Sequence, residues 1–237
     1  MENKNNLKIS GSGSMSGGKY NEVSVSGSGK ITGDIECNKL HISGSSKIEG
    51  NVKTREFKIS GSCKVGGNLE FLEGRTSGSS YILGDVKGLK MSVSGGTKID
   101  GKVCLDEVRV SGDIYIGKDC EVEKFQSSGG FKIEGLLNAE NIEIEIGSKC
   151  YVNEIGGKSI LIKKSEVFGI SLMNLFGKKN LTADVIEGDD IDIEEVVAKV
   201  VRGKNVHIGS GCTIDRVEYS ESFEISDNSK VKLNKKI

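Results

Sequence analysis

The chain has 237 residues with 33 Gly, no Pro and no Trp, and its 33 Lys and Arg against 34 Asp and Glu give a formal net charge of −1. This balance excludes the clustered positive charge typical of nucleic-acid binding, so we expect no nucleic-acid partner. No stretch approaches the roughly 18 consecutive apolar residues of a membrane span, and residues 1–6 lack a hydrophobic signal core. We therefore expect a cytoplasmic protein, at most peripheral at the inner face of the membrane.

The six cysteines are widely spaced, form no Cys-x-x-Cys pair, and are accompanied by only two His. This spacing is not typical of a zinc site, and we expect neither a metal ion nor a cofactor. In an unexported chain the default is reduced thiols that pack as small apolar side chains. By its place in the repeat described next, Cys104 is the thiol expected to be exposed.

Residues 22–140 consist of seven consecutive 17-residue units without an insertion, beginning with EVSVSGSGKITGDIECN, KLHISGSSKIEGNVKTR and EFKISGSCKVGGNLEFL. Within a unit, the sixth place is always Gly: Gly27, Gly44, Gly61, Gly78, Gly95, Gly112 and Gly129. The tenth place is always β-branched: Ile31, Ile48, Val65, Ile82, Ile99, Ile116 and Ile133. The second, fourth and fourteenth places are mostly apolar, with polar residues between them. This alternation with a period of two predicts β-strands and not helices.

A unit this short cannot bury its apolar side chains alone, so successive units must stack with equal places above one another. Each backbone then pairs with the next at about 4.8 Å, and the tenth places form one interior column. The Gly columns suit bends that need a positive φ or a close backbone approach. The absence of Pro suits strands that use both backbone groups. The sequence therefore predicts an all-β fold, a parallel β-helix.

The repeat extends in both directions beyond these units. A 16-residue unit begins at Asn6, NIEIEIGSKCYVNEIGG continues the frame at Asn141, and the pattern resumes after Asp189. The frame blurs over residues 158–189, which have the length of about two turns, so we expect about 14 turns of roughly 17 residues. The segment 167–176 fits either a buried strand pair or a short helix.

We expect one continuous β-helix over residues 6–233, with irregular turns at 157–189. A short polar tail at 1–5 and a short basic tail at 234–237 flank it. The alternative is a separate C-terminal domain after Gly157.

Two columns of polar residues run along the outer surface of the predicted β-helix. The ninth place carries Lys30, Lys47, Lys64, Lys98, Lys132 and Lys149. We interpret this column as a solvated corner whose charge is balanced by Glu49, Asp100 and Glu134. The fifth place carries Ser in all seven units and is interpreted as a device for hydrogen bonding at turns.

The sequence shows no catalytic constellation. A nucleophilic Ser would need a paired base, and the two His residues, His41 and His207, fall at outward places far apart in the stack. Acidic pairs such as Asp189 and Asp190 do not converge, because adjacent residues on a strand point to opposite faces. We therefore expect no enzymatic activity.

The stacked repeats VSGSGKITGDIECN, ISGSSKIEGNVKTR and ISGSCKVGGNLEFL resemble the bactofilins, bacterial polymer-forming cytoskeletal proteins. The stretch VIEGDDIDIEEVVAKVVRGKNVHIGSGCTIDRVEYSE is similar to the longer members found in Firmicutes. The resemblance implies a right-handed, three-sided β-helix that polymerises end to end into nonpolar filaments without nucleotide. It also implies a scaffold for envelope-associated processes, including cell shape and the placement of wall or motility machinery.

The resemblance further implies apolar interface residues in the terminal turns, which correspond here to Leu7, Ile9, Phe223 and Ile225. The partners it implies are the protein itself, a paralogue, and envelope or motility proteins. Elementary physics supports self-assembly, because an uncapped β-helix ends in unpaired backbone groups that are a template for another chain. The basic residues between Lys230 and Lys236 would instead repel a second copy or bind an acidic partner. The alternative function is a monomeric β-helical binding module for a polysaccharide or protein partner.

Overall fold

The computed structural model describes residues 5–165 and 179–237, and every regular element in these two ranges is a β-strand. The chain forms two compact units, Met1–Lys118 and Asp119–Ile237.

The first unit contains the described strands β1 (Leu7–Ile9), β2 (Ser12–Lys19), β3 (Glu22–Val25), β4 (Ser28–Ile42), β5 (Ser45–Ile48), β6 (Val52–Ile59), β7 (Ser62–Val65), β8 (Leu69–Glu70), β9 (Glu73–Thr76), β10 (Ser79–Ile82), β11 (Val86–Lys87), β12 (Lys90–Val93), β13 (Gly96–Ile99), β14 (Val103–Val110) and β15 (Asp113–Ile116). The second unit contains the described strands β16 (Cys120–Ser127), β17 (Gly130–Ile146), β18 (Cys150–Lys164), β19 (Leu181–Ile193), β20 (Val196–Ile208), β21 (Thr213–Ile225) and β22 (Lys230–Lys236).

The strands of the first unit stack in parallel with the register that the repeat predicts. Phe57 pairs with Gly74 and Gly74 with Met91, each 17 residues further along the chain. The first coil is one residue shorter, because Leu7 pairs with Val23. Three columns of paired strands result, at places one to four, seven to ten, and from fourteen onward; β12, β13 and the start of β14 represent them within one coil.

The core of the first unit lies inside the coils. The tenth-place column of Ile and Val is at most 2% exposed between Ile31 and Ile116. Full burial of each such side chain contributes about 1.5–3 kcal/mol relative to exposure. The period of the sequence therefore places one apolar column in the interior at every turn.

The sixth-place glycines are required by close backbone approach and not by a positive φ. A Cβ on Gly44 would overlap the carbonyl oxygen of Gly27 in the coil below, and one on Gly61 would overlap that of Gly44 in the same way. Among the described glycines, only Gly18, Gly33 and Gly211 have a positive φ. Close approach, one of the two reasons expected from the sequence, thus explains the column.

The second unit has the same parallel stacking with less regular spacing. Cys120 pairs with Leu137 at a separation of 17 residues, whereas Leu181 pairs with Val196 at a separation of 15. A β-bulge shifts the register between Ile133 and Leu136 of β17. This irregularity explains why the frame of the sequence becomes harder to follow after residue 141.

One expectation for the second unit is wrong. The 32 residues at 158–189 have the length of two turns, but Ile160 pairs directly with Ile191, so no coil lies between β18 and β19. Residues up to Lys164 lie in β18 and those from Leu181 lie in β19. The segment 167–176 lies outside the described residues.

The predicted all-β parallel solenoid is confirmed. Over the described residues, the two units together form about 13 turns, close to the about 14 expected. The continuity of the β-helix over residues 6–233, its two tails and its right-handed sense stay predictions.

Candidate assembly edges

Two strand edges are open among the described residues. The N-terminal edge is the outer side of β1 and β2, which pair only with β3 and β4. The C-terminal edge is the outer side of Ser222–Ile225 and of β22. Ser222–Ile225 pairs only with Asn205–Ile208, and β22 pairs only with residues Thr213–Tyr219 of β21. Both edges therefore present backbone groups without a strand partner in the part of the chain that the structure describes.

At the N-terminal edge, the predicted interface residues point into the end of the core. Leu7 and Ile9 are 4% and 6% exposed and stack on Val23 and Val25 of the next coil. Met15, in the neighbouring strand, is 44% exposed. The apolar side chains at this edge are thus mostly covered, and the open groups belong to the backbone.

At the C-terminal edge, the predicted interface residues are more accessible. Phe223 stacks on Val206 and is half-buried, and its ring lies against the Tyr219 ring at a centroid distance of 5.3 Å. Ile225 is 43% exposed and Leu233 is 55% exposed. This edge therefore combines free backbone groups with an apolar surface. Leu233 and Tyr219 were missed by the sequence reasoning, although both carry an apolar signal in the last coils.

The basic strand β22 is partly neutralised by the coil below it. Lys232 Nζ lies 2.7 Å from Asp215 Oδ1. Lys235 pairs in register with Glu218, and a hydrogen bond from Arg202 holds the pKa of the Glu218 carboxyl below its ordinary value. The positive charge at the C-terminal edge is therefore smaller than its four Lys residues suggest.

The ninth-place Lys column has acidic or aromatic partners, as the sequence interpretation expects. Lys30 and Lys47 both lie 3.0 Å from Glu49, and their hydrogen bonds lower the pKa of that carboxyl. Lys98 lies 3.2 Å from Asp100. Lys64 stands over the Tyr81 ring at 5.0 Å. These contacts leave little uncompensated charge along the column to attract a polyanion.

A ladder of Asp and Asn side chains, which the sequence reasoning missed, links the turns of the first unit. The Oδ1 atoms of Asp34, Asn51, Asn68 and Asp85 each accept a hydrogen bond from the backbone amide 17 residues further on, at 2.7–2.9 Å. The signal was present, because Asp or Asn recurs at the thirteenth place directly after the twelfth-place Gly. The ladder satisfies turn amides that strand pairing does not reach.

The acidic groups considered for catalysis each bind a different partner. Asp189 pairs with Lys204 at 3.1 Å, whereas Asp190 accepts a hydrogen bond from Asn205 at 2.8 Å. No group of three or more His, Cys, Asp or Glu within residues 5–165 and 179–237 is arranged to hold a metal ion.

The largest charged cluster lies on the second unit. Burial raises the pKa of Asp192, but hydrogen bonds from Lys163 and His207 outweigh it and hold that pKa below its ordinary value. His207 Nδ1 lies 2.7 Å from Asp192 Oδ1, and Lys163 also binds Glu194 at 3.1 Å. Each group has a charged neighbour, so the cluster is a surface ion-pair network.

The comparisons with known proteins agree with the repeat. Residues 1–70 match the bactofilin family, described as polymer-forming cytoskeletal. The resemblance to the bactofilins is confirmed for this part of the chain. No helix in the described ranges is long and apolar enough to cross a membrane.

Two proteins of Bacillus subtilis (strain 168) are similar to part of this bactofilin-like chain. YhbF, named as an uncharacterized protein, is 39% identical over 105 residues, which cover 43% of this chain and 42% of YhbF. YhbE, named in the same way, is 36% identical over 103 residues, which cover 43% of each chain. The chain therefore matches less than half of the length of these curated relatives. No solved structure matches it.

Proposed function

We propose that this protein is a structural, non-enzymatic component that self-assembles through the ends of its β-solenoid into nucleotide-independent filaments. The observation that carries the proposal is the C-terminal edge, where unpaired strand backbone lies beside Ile225, 43% exposed, and Leu233, 55% exposed. The match of residues 1–70 to a polymer-forming cytoskeletal family supports it.

An open strand edge favours assembly because pairing with another chain satisfies a full row of backbone groups at once. The exposed apolar side chains add the burial of hydrophobic area to that gain. A second copy of the chain is the simplest partner, since its terminal coil has the same width and strand spacing. The same physics would admit a paralogue with the same repeat.

The cellular role that we propose is a scaffold for envelope-associated processes such as cell shape or the placement of wall or motility machinery, in the cytoplasm or at the inner face of the membrane. It rests on the family resemblance. The alternative, a monomeric binding module for a polysaccharide or protein partner, stays a prediction. The pairing of the ninth-place Lys residues gives it no added support.

The test compares sedimentation of the wild type with two matched variants without nucleotide. Ile225→Arg places a charge on the C-terminal edge, and Leu89→Arg places one on an outer surface of the first unit, where Leu89 is 42% exposed. We expect wild type and Leu89→Arg to pellet and to form filaments in negative stain, and Ile225→Arg to stay in the supernatant.

Phe223→Arg is expected to behave like Ile225→Arg. A wild type that stays a 25.3 kDa monomer at high concentration would contradict self-assembly. Equal pelleting of Ile225→Arg and Leu89→Arg would contradict the assignment of the interface to the C-terminal edge.

A further inference from the structure

We propose that the two edges join head to tail, so that the N-terminal edge of one copy stacks on the C-terminal edge of the next as one more turn of the same solenoid. The resulting filament is polar, whereas the family resemblance implies nonpolar filaments. This inference rests on the proposed self-assembly and specifies its geometry. Four observations carry it: strand direction, register, charge and the direction of a side-chain ladder.

Strand direction favours a head-to-tail contact. All the strand pairings described within each unit are parallel, including those of β1 with β3 and of β21 with β22. A copy that follows in the same orientation continues this parallel ladder. A copy related by a twofold axis would present its edge strands in the opposite direction and end the ladder.

The register identifies which residues meet. Leu7 and Ile9 stack on Val23 and Val25, at the second and fourth places of the repeat. Phe223 and Ile225 stack on Val206 and Ile208, at the same two places. One further coil on the C-terminal edge therefore sets Leu7 on Phe223 and Ile9 on Ile225. At the tenth place it sets the exposed Met15 on Val231. The half-covered apolar side chains at the C-terminal edge are thereby buried.

The charges at the third place are complementary. Lys8 lies between Leu7 and Ile9, and Glu224 lies between Phe223 and Ile225; neither has an ion-pair partner among the described residues. Head-to-tail stacking brings Lys8 of one copy beside Glu224 of the next, a favourable cross-strand pair.

Symmetric contacts are less favourable for the same charges. Two C-terminal edges would bring Glu224 towards Glu224 and a strand with four Lys towards its own copy. Two N-terminal edges would bring Lys8 towards Lys8. Head-to-tail stacking also brings Lys19 near Lys235, but Lys19 binds Glu36 at 2.9 Å and Lys235 lies beside Glu218.

Side-chain ladders at the two edges run in the same direction. At the N-terminal edge, Asn38 Nδ2 donates to Asn21 Oδ1 and Asn21 Nδ2 donates to Asn6 Oδ1. At the C-terminal edge, Ser222 Oγ donates to Asn205 Oδ1, and Asn205 Nδ2 donates to Asp190 Oδ1. In both, the later residue donates to the earlier one. Asn6 of the next copy, at the first place like Ser222, would donate to Ser222 Oγ and connect the two ladders without reversing them.

The polarity is tested by disulfide cross-linking in a Cys104→Ser background, which removes the exposed native thiol. Lys8→Cys and Glu224→Cys are made in separate chains of different tag mass. Neighbouring strands in a ladder are about 4.8 Å apart, which lies within the range that a disulfide bridges. Under mild oxidation we expect the mixed pair to form a heterodimer and each variant alone to stay uncrosslinked. Lys58→Cys, at an outward third place within the first unit, is the control.

Homodimers of Lys8→Cys or of Glu224→Cys would overturn the head-to-tail geometry. If the Cys104→Ser parent still pellets in that case, the proposed self-assembly stands and only the polarity fails. If the parent never pellets, the proposed function itself fails. The two failures are therefore distinguishable.

A charge-reversal series gives an independent readout on uncrosslinked protein. We expect Lys8→Glu and Glu224→Lys each to raise the concentration needed for pelleting by about two- to fivefold, and the double variant to return it close to the wild-type value. Lys58→Glu is the control and should leave it unchanged. A symmetric contact keeps like charges opposed in the double variant, so the absence of rescue would contradict the proposal.

Discussion

The ring of Phe57 occupies the space that a side chain at Gly74 would need. The two residues are register partners in neighbouring coils, and a Cβ on Gly74 would overlap the Phe57 ring. Phe57 is 1% exposed and also packs edge-on against Phe71 at a centroid distance of 4.7 Å. Gly74 breaks the apolar pattern of the second place because the large neighbour already fills that layer of the core.

This relationship predicts a coupled pair of substitutions. Gly74→Val should destabilise the protein by about 1–3 kcal/mol through overpacking, and Phe57→Val should cost about 2–4 kcal/mol through a cavity. The double variant should cost less than the sum by at least about 1 kcal/mol, since the new Val fills the space that the ring left. Urea unfolding of the four proteins measures the coupling. Additive losses would show that the two side chains do not share one space.

Adjacent glycines should respond in opposite ways to the same substitution. A Cβ on Gly95 would overlap the carbonyl oxygen of Gly78, whereas one on Gly96 meets nothing within 4 Å. We expect Gly95→Ala to lower the melting temperature markedly and Gly96→Ala to leave it unchanged or raise it slightly, by about 0.4–1 kcal/mol in stability. Thermal unfolding followed by circular dichroism compares them. Equal melting temperatures would contradict close backbone approach as the reason for the sixth-place column.

Thr76 is a buried polar residue whose replacement should stabilise the fold. It is 1% exposed, its neighbours in the column are Ile59 and Val93, and its Oγ1 has no hydrogen-bond partner among the described residues. Thr76→Val keeps the shape and removes the unsatisfied hydroxyl, which costs about 1–3 kcal/mol when buried. We expect a gain of that order in urea unfolding. Thr54→Val is the contrasting variant, because the Thr54 hydroxyl donates to the Glu56 carbonyl at 2.9 Å, and it should not gain.

The cysteines should differ sharply in reactivity. Burial raises the pKa of the Cys63 thiol to about 11, against a smaller opposing contribution from the hydrogen bond with Ser46. Cys104 is exposed, and the other five cysteines are buried. At pH 8 only about one Cys63 thiol in a thousand is ionised, so native protein should take up iodoacetamide at Cys104 alone. Peptide mass spectrometry locates the label. Rapid labelling of Cys63 without unfolding would contradict its burial.

The sequence predicted the inner architecture of the first unit because its repeat is strict. With one Gly and one β-branched residue fixed in every 17-residue unit, only one stacking register keeps all apolar places inside. The inward column from Ile31 to Ile116 and the shorter first coil at Leu7 follow directly. The exposed Cys104 and the balanced Lys column were predicted in the same way, since outward and inward places alternate along a strand.

Other features depend on neighbours in space that residue types alone do not identify. The Asp34 ladder and the Phe57–Gly74 exchange each join residues 17 apart, and their effect depends on atomic distances between coils. The open C-terminal edge at Ile225 was expected from the pattern. The stacking of Tyr219 on Phe223 and the exposure of Leu233 were found only in the structure.

The sequence by itself thus determined that the chain is a stacked parallel β-solenoid, because a strict period leaves one way to bury its apolar residues. Only the tertiary structure decided where that period is interrupted, as the direct pairing of Ile160 with Ile191 shows. Thirty-two residues suit two coils as well as one coil and a connection, and the choice between them is made by which backbone groups hydrogen-bond. The same reason applies to the two edges, whose register and charge became comparable once each strand was assigned its partner.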